Sequence, residues 1–205
     1  MKVVIVDYGA GNVVSVNKAL QHVGADVTLS DDPSQVAAAD AVVFPGQGHF
    51  GQAMVRLASS GMDRVLVDVI DRGTPFLGIC LGLQLLFDGS DEAPGVAGLG
   101  VIRGHCRRFS DEVKVPQIGW NQVKRVLDAT PMDAVAPGEH FYFVHSYHAV
   151  CDDLTALAAT ATHGVRFCAA VARDNVFATQ FHPEKSGSAG LQLLRAFLTS
   201  AAQER

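Results

Sequence analysis

Along its first half the chain switches between two hydrophobic periods. Val3 to Val6 is a near-continuous apolar run, as expected of a strand buried on both faces of a parallel sheet. The loop Asp7-Tyr8-Gly9-Ala10-Gly11-Asn12 follows. Apolar residues then recur at Val13, Val16, Ala19, Leu20 and Val23, with Gly24 as a stop, which predicts a helix. Val27 to Leu29 reads as a second strand and Pro33 to Ala39 as a helical turn. Ala41 to Phe44 is a third strand, running into Pro45-Gly46-Gln47-Gly48-His49-Phe50-Gly51. Helices are predicted over 52–59 and 62–72, then a strand ending at Gly78 and a helix to Phe87. This β-α alternation predicts an α/β fold, a parallel sheet with helices on both faces.

From Asp88 the pattern shortens. After the polar turn 88–95, brief apolar segments appear at Leu99–Ile102, Cys106–Phe109, Gln122–Val126, Phe141–Val144, Leu157–Thr160, Val165–Val171 and Val176–Thr179. Turn residues separate them, so they read as antiparallel strands extending the sheet. A last helix spans 191–198. With no repeat, low-complexity stretch or linker, residues 1–205 are expected to form one domain.

In parallel sheets of this kind ligands bind beyond the carboxyl ends of the strands. Three glycine-bearing loops (9–12, 45–51 and the turn at Cys80) fall there. Gly9-x-Gly11 invites a dinucleotide-binding reading, but that fingerprint needs a third glycine where Val14 stands and an acidic residue closing the second strand, where Ser30 stands. A nucleotide site is therefore not expected. In Gly78-Ile79-Cys80-Leu81-Gly82 a strand ends, a thiol follows, and a helix begins. The glycines permit a sharp bend, and a helix start favours a thiolate. Taken alone, such a cysteine is more often an inert core residue.

The C-terminal stretch Thr179-Gln180-Phe181-His182-Pro183-Glu184-Lys185-Ser186 shifts the balance. A strand delivers His182, and Pro183 fixes the backbone to Glu184 two residues on. A cysteine nucleophile needs a base that takes and returns its proton, and the base needs an orienting carboxylate. Cys80, His182 and Glu184 supply those parts. The Gly46-Gln47-Gly48 loop can turn an N–H toward a developing oxyanion, with the Leu81 N–H as a second donor.

Composition narrows the class. The chain is 48% hydrophobic and 18% charged with a formal charge of −5, a globular profile unsuited to an electrostatic grip on nucleic acid or anionic lipid. The N-terminus lacks the long apolar core of a signal peptide, and no apolar run is long enough to span a membrane. Cys80, Cys106, Cys151 and Cys168 are scattered without a C-x-x-C pair, arguing for a reducing, cytoplasmic compartment and against a disulfide frame or metal site.

Together, Gly78-Ile79-Cys80-Leu81-Gly82-Leu83-Gln84, Pro45-Gly46-x-Gly48 and Phe181-His182-Pro183-Glu184 resemble a class I (triad) glutamine amidotransferase domain, in the family's order and across the whole chain. The resemblance implies a flavodoxin-like three-layer αβα fold, a mostly parallel central sheet with an antiparallel extension, and no cofactor. Further stretches resemble one subfamily, the glutaminase subunits of imidazole glycerol phosphate synthase in histidine biosynthesis. These are Asp7-Tyr8-Gly9-x-Gly11-Asn12, Gly46-x-Gly48-His49-Phe50-Gly51, Pro116-Gln117-Ile118-Gly119-Trp120-Asn121, Tyr142-Phe143-Val144-His145-Ser146-Tyr147 and His182-Pro183-Glu184-Lys185-Ser186.

What the resemblance implies is glutamine hydrolysis through a γ-glutamyl thioester on Cys80. Gly46, Gln47 and Leu81 would serve the oxyanion, and Gly48, Gln84, Glu92, His145, Ser146 and Tyr147 would hold glutamine. Ammonia would pass to a (βα)₈-barrel cyclase subunit, as a 1:1 heterodimer in which Asn12, Trp120, Tyr142 and Lys185 face the partner. Gln47 stands where the subfamily commonly has valine, which bears on how firmly the resting loop is locked. Without the resemblance, Gln84 reads as a helix-surface residue, Glu92 as a solvated turn and His145 as a core histidine, while Trp120 reads equally as a core aromatic or an interface anchor. Two other readings stay open: an amidotransferase serving a different acceptor, and a non-catalytic protein on the same fold.

Overall fold

The computed structural model describes residues 1–9, 12–128 and 130–203; Gly11 of the first loop lies outside the described residues. In chain order the elements are β1 (Lys2–Val6), α1 (Val13–His22), β2 (Asp26–Ser30), α2 (Pro33–Ala37), β3 (Ala41–Gly46), α3 (Phe50–Ser60), α4 (Met62–Asp71), β4 (Phe76–Cys80) and α5 (Leu81–Gln84). They continue with β5 (Gly89–Ser90), β6 (Gly104–Arg108), β7 (Gln117–Gln122), β8 (Lys124–Arg125), β9 (His140–His145), β10 (Tyr147–Cys151), β11 (Leu157–His163), β12 (Val165–Arg173), β13 (Val176–Thr179) and α6 (Gly187–Gln203).

The central sheet runs β2-β1-β3-β4-β13-β12-β11-β8. β2, β1, β3, β4 and β13 run parallel to one another; β12, β11 and β8 add the antiparallel extension. The flavodoxin-like order 2-1-3-4 puts the topological switch point between β1 and β3. Both faces are covered because successive strand residues point to opposite sides. Val3 and Ile5 join one core with Leu20 of α1 and Leu193 and Phe197 of α6. Val4 and Val6 join the other with Phe50 and Leu57 of α3 and Leu66 and Val69 of α4. Phe44, Phe50, Phe76 and Phe87 are fully buried, each contributing about 1.5–3 kcal/mol relative to exposure.

Several expectations for the second half need correcting. Val176–Thr179 is not part of the antiparallel extension alone: as β13 it pairs parallel with β4 and antiparallel with β12, joining the two halves of the sheet. The strands in Cys106–Phe109 and Phe141–Val144 do not extend the central sheet. β6 lies in a small sheet with β5 and β10, and β9 pairs only with β7. Period-2 alternation reports that a strand is half-buried but not which strand it meets.

Leu99–Ile102 is not a strand, and the helix after Cys80 stops at Gln84 rather than Phe87. The helix ends in a tightened turn, the Leu86 and Phe87 N–H groups donating to the carbonyls of Leu83 and Gln84, three residues back, at 3.1 Å each. Residues 99–102 are spent on the carbonyls beyond it: the N–H groups of Leu99, Gly100 and Ile102 donate to Leu85, Phe87 and Leu86 at 2.8, 3.4 and 2.9 Å. The final helix is longer than expected, beginning at Gly187.

Candidate active site

Cys80 closes β4, directly beside Gly46 at the end of β3. Its φ of 56° and ψ of −106° are unusual for a non-glycine residue, a conformation costing on the order of 1–3 kcal/mol and held only by its surroundings. Gly82 is one of those surroundings: a Cβ there would collide with the Phe44 carbonyl oxygen. The chain can therefore turn tightly against β3 and carry the thiol to the sheet edge, where Cys80 is 6% exposed. Because α5 has only four residues, its dipole offers the sulfur little, contrary to the expectation of a full helix.

His182 follows β13 by three residues, and its Nδ1 lies 2.8 Å from Glu184 Oε1. Since an ionised carboxylate only accepts, Nδ1 carries the proton and Nε2 is left for the sulfur side. The Asn12 side-chain amide donates to the same Glu184 oxygen, fixing the carboxylate from the loop after β1. His182 Nε2 and Glu184 Oε2 are buried without a hydrogen-bond partner among the described residues. Burial opposes charge on His182, yet the Cys80 sulfur and then Glu184 outweigh it, and the imidazole is pushed up to about 10. The backbone here is clamped: His182 N–H donates to the Tyr142 carbonyl at 2.9 Å. The Ser186 hydroxyl donates to His182 O at 2.6 Å and accepts from Tyr142 N–H at 3.0 Å.

Cys80 and His182 share a cavity of about 310 Å³ with Gln47, Gly48, Leu81, Gln84, Glu92, His145, Ser146 and Tyr147, at the small end of the range for small-molecule sites. Of the predicted site residues, Gly46 and Glu184 stand just behind this wall. Gly46 is packed so closely that a Cβ would meet the Tyr8 hydroxyl. Gln84 is buried and not a helix-surface residue; its amide donates to Tyr147 O at 2.8 Å and Gln180 Oε1 at 3.0 Å. Glu92 is not merely solvated: its Oε2 accepts from the Phe50 N–H at 2.7 Å, anchoring the start of α3 with favourable charge. His145 is buried, and its Nδ1 lies 2.8 Å from Tyr147 O, so that nitrogen is the donor. Burial pushes its imidazole down to about 3. Among the described residues no His, Cys, Asp and Glu cluster is arranged to hold a metal ion.

The four residues expected to face a partner split in two. Asn12 is bonded to Glu184, as described. Trp120, 58% exposed and not a core aromatic, meets the Tyr142 ring edge-on at 6.1 Å. Lys185 sits 5.9 Å over the same ring, and Ile118 adds a second exposed apolar side chain on β7. This patch is continuous with the His182 clamp, because Tyr142 belongs to both.

The family model for glutamine amidotransferase class-I matches residues 4–201. The chain belongs to this family. Relatives of this class-I amidotransferase include proteins named imidazole glycerol phosphate synthase subunit HisH. The one from Thermosynechococcus vestitus is 48% identical over 200 residues, covering 96% of this chain and 95% of the relative. That from Methanothermobacter thermautotrophicus is 48% identical over 196 residues, with 96% and 97% covered, and that from Deinococcus radiodurans is 46% identical over 198 residues, with 96% and 92% covered. Among solved structures, PurLQS from Thermotoga maritima aligns with a TM-score of 0.76 at 20% identity over 97% of this chain and 98% of that one. At that identity the likeness is one of fold. No helix among the described residues is long and apolar enough to cross a membrane.

Reading the amidotransferase sequence missed three contributions: Gln180 beside the sulfur, the Ser186 hydroxyl in the clamp, and the bond from Asn12 to Glu184. Gln180 and Ser186 flank the His-Pro-Glu segment, so position was the available signal. Their partners Gln84 and Tyr142 are distant in sequence.

Proposed function

We propose that this chain hydrolyses L-glutamine to glutamate and ammonia as the glutaminase subunit of imidazole glycerol phosphate synthase, acting as one domain in the cytoplasm. One observation carries the reading. Cys80 and His182 share a buried wall of the cavity, with Glu184 bonded to the far side of the imidazole, in a chain 48% identical to proteins of that name.

In this mechanism the Cys80 sulfur attacks the side-chain amide carbon of glutamine. The charge developing on the amide oxygen is met by main-chain N–H groups at Gln47 and Leu81. The C–N bond breaks as His182 gives a proton to the departing ammonia, leaving a γ-glutamyl thioester. His182 then takes a proton from water, which cleaves the thioester and frees glutamate and the thiol. Glu184 keeps the proton on Nδ1 and steadies the imidazolium, while Asn12 steadies Glu184. Gln84 has both amide protons committed to protein carbonyls, so it offers glutamine only an acceptor; Gly48, Glu92, His145, Ser146 and Tyr147 complete the pocket. No cofactor enters.

The ammonia passes to a (βα)₈-barrel cyclase subunit, which makes imidazole glycerol phosphate and an aminoimidazole carboxamide ribotide. The Trp120–Tyr142–Lys185 patch is the docking face: an exposed aromatic flanked by an apolar residue and a cation is the kind of anchor such interfaces use. The test is glutamate release from glutamine by the chain alone and with the cyclase subunit carrying its nucleotide ligand. Strong stimulation, lost by about 10⁴-fold or more in Cys80→Ala, is the expected result. Turnover in Cys80→Ala would refute the mechanism. Full activity without the cyclase would keep the glutaminase and remove the partner.

A further inference from the structure

Gln180 is fully buried and lies one residue beyond Thr179, the residue of β13 paired with Ile79. Its main-chain N–H is spent on Ala169 O at 2.8 Å, so its backbone is locked into the sheet. Its carboxamide has two partners. Oε1 lies 3.0 Å from the Gln84 amide nitrogen, and Nε2 lies 3.7 Å from the Cys80 Sγ.

The orientation of this pair follows from chemistry. The Tyr147 main-chain oxygen can only accept, so the Gln84 side chain must turn its NH₂ toward it. The same NH₂ faces Gln180, which must answer with its carbonyl oxygen. Gln180 is then obliged to turn its own NH₂ toward the sulfur. His145, donating from Nδ1 to the same Tyr147 oxygen, cannot reverse that polarity.

We propose that Gln180 is a further catalytic residue, donating an N–H to the Cys80 sulfur under the direction of a relay Tyr147 O–Gln84–Gln180. The inference rests on Cys80 being the nucleophile proposed above. The donor favours the charged sulfur and aims its lone pair, because hydrogen bonds to ionised acceptors are the stronger ones. It supplies from the side what the four-residue α5 cannot supply from below. The same bond stabilises the sulfur as it departs from the thioester. Gln84, which does not touch the sulfur, acts as a positioning residue.

The probe is iodoacetamide, small enough to reach Cys80 through the cavity and lacking the α-amino and α-carboxylate groups by which glutamine would be held, with labelling at Cys80 followed by peptide mass as a function of pH. Replacing the donor in Gln180→Met is expected to move the alkylation profile to higher pH by about one unit, about ten-fold slower labelling at pH 7. Gln180→Glu, which keeps the length but cannot donate when ionised, is expected to move it further. Gln84→Met, which frees Gln180 to turn over, moves it in the same direction by less. Buried Cys106 and Cys168 report folding, since a loosened variant would label them as well. Folded Gln180 variants with an unshifted profile overturn the relay, as does a shift absent from every variant that keeps Cys106 and Cys168 protected. Because glutamate release by Cys80→Ala is measured alongside, a failed relay in a chain that still depends on Cys80 is distinguished from a failed nucleophile.

Discussion

One wall of the cavity carries Cys80 and His182, with Gln180 behind the sulfur; they are 6%, 2% and 0% exposed, and hydrogen bonds hold Gln180 to Gln84 and His182 to Glu184. A second part of the wall carries Gln47 and Gly48, both exposed, with Gly48 at a φ of +100°. The first wall is over-determined, so groups that must meet the reacting carbon within tenths of an ångström cannot wander. The second has few constraints, as would suit the oxyanion donor proposed above, whose N–H would turn toward the substrate. In the mechanism proposed above, this division would leave the chemistry preassembled and only the oxyanion donor to regulate.

The strongest way to break the fixed wall is to disconnect the imidazole. Glu184→Gln removes the carboxylate that holds the Nδ1 proton, and glutamate release is expected to fall on the order of 10³–10⁴-fold in the presence of the cyclase. Its thermal midpoint should move far less than its activity. A loss below ten-fold would mean that Glu184 does not orient the base.

Paired glycine substitutions test the two walls for rigidity. Gly82→Ala drives a methyl into the Phe44 carbonyl under Cys80, and a cost of about 3 kcal/mol predicts a midpoint lower by about 6–12 °C in a chain of this size. Gly48→Ala has open space around its Cβ and meets only the left-handed backbone, costing about 1–2 kcal/mol, or about 2–8 °C. Equal losses in differential scanning calorimetry would erase the distinction between the walls.

Two buried histidines make the contrast visible in pH. His145 is pushed down to about 3 from 6.5, so the unfolded chain takes up its proton first. Its contribution is whole above about pH 6.5 and lost as pH falls from there toward 3. His182 is pushed up to about 10 from 6.5, so its contribution is whole below about pH 6.5 and lost as pH rises toward 10. Thermal midpoints measured across pH should show a flatter acid limb in His145→Gln and a flatter alkaline limb in His182→Gln. An acid limb unchanged by His145→Gln would show that the folded state accommodates the extra proton.

The parallel half of this architecture was legible because its elements are local. Val3 to Val6 needs a strand wherever it lies, and the apolar face from Val13 to Leu20 needs a helix. The grouping of Cys80, His182 and Glu184 was legible because Cys80 closes β4 and the other two follow the neighbouring β13 within five residues. The small sheets were not: β7 and β9, β6 and β10 are short, and their pairing depends on distant partners. Nor was the relay behind Cys80, since nothing in the residues around Gln84 says that its amide will meet Gln180 or the Tyr147 carbonyl. The helix after Cys80 was overestimated because its apolar positions continue to Phe87 while the backbone tightens to three-residue hydrogen bonds at Leu86 and Phe87.

Gln47 carries the smallest expected effect and sharpens the account of the exposed wall. Its side chain is exposed and makes no hydrogen bond among the described residues, so it adds no tether to the loop. Valine there would restrict the backbone through its branched Cβ, and an entropy difference of roughly 0.5 kcal/mol corresponds to about two- to three-fold. Gln47→Val is therefore expected to lower glutamate release by the isolated chain by that factor, because a stiffer loop visits the donor orientation less often. The midpoint should shift by no more than about 1–2 °C, as for other surface replacements. The cyclase-stimulated rate, measured once the partner holds the loop, should change less than the unstimulated one, so the ratio of the two rises. If Gln47→Val raised the unstimulated rate instead, the glutamine side chain would be a restraint on the loop, and the exposed wall would be held more firmly than its hydrogen bonds imply.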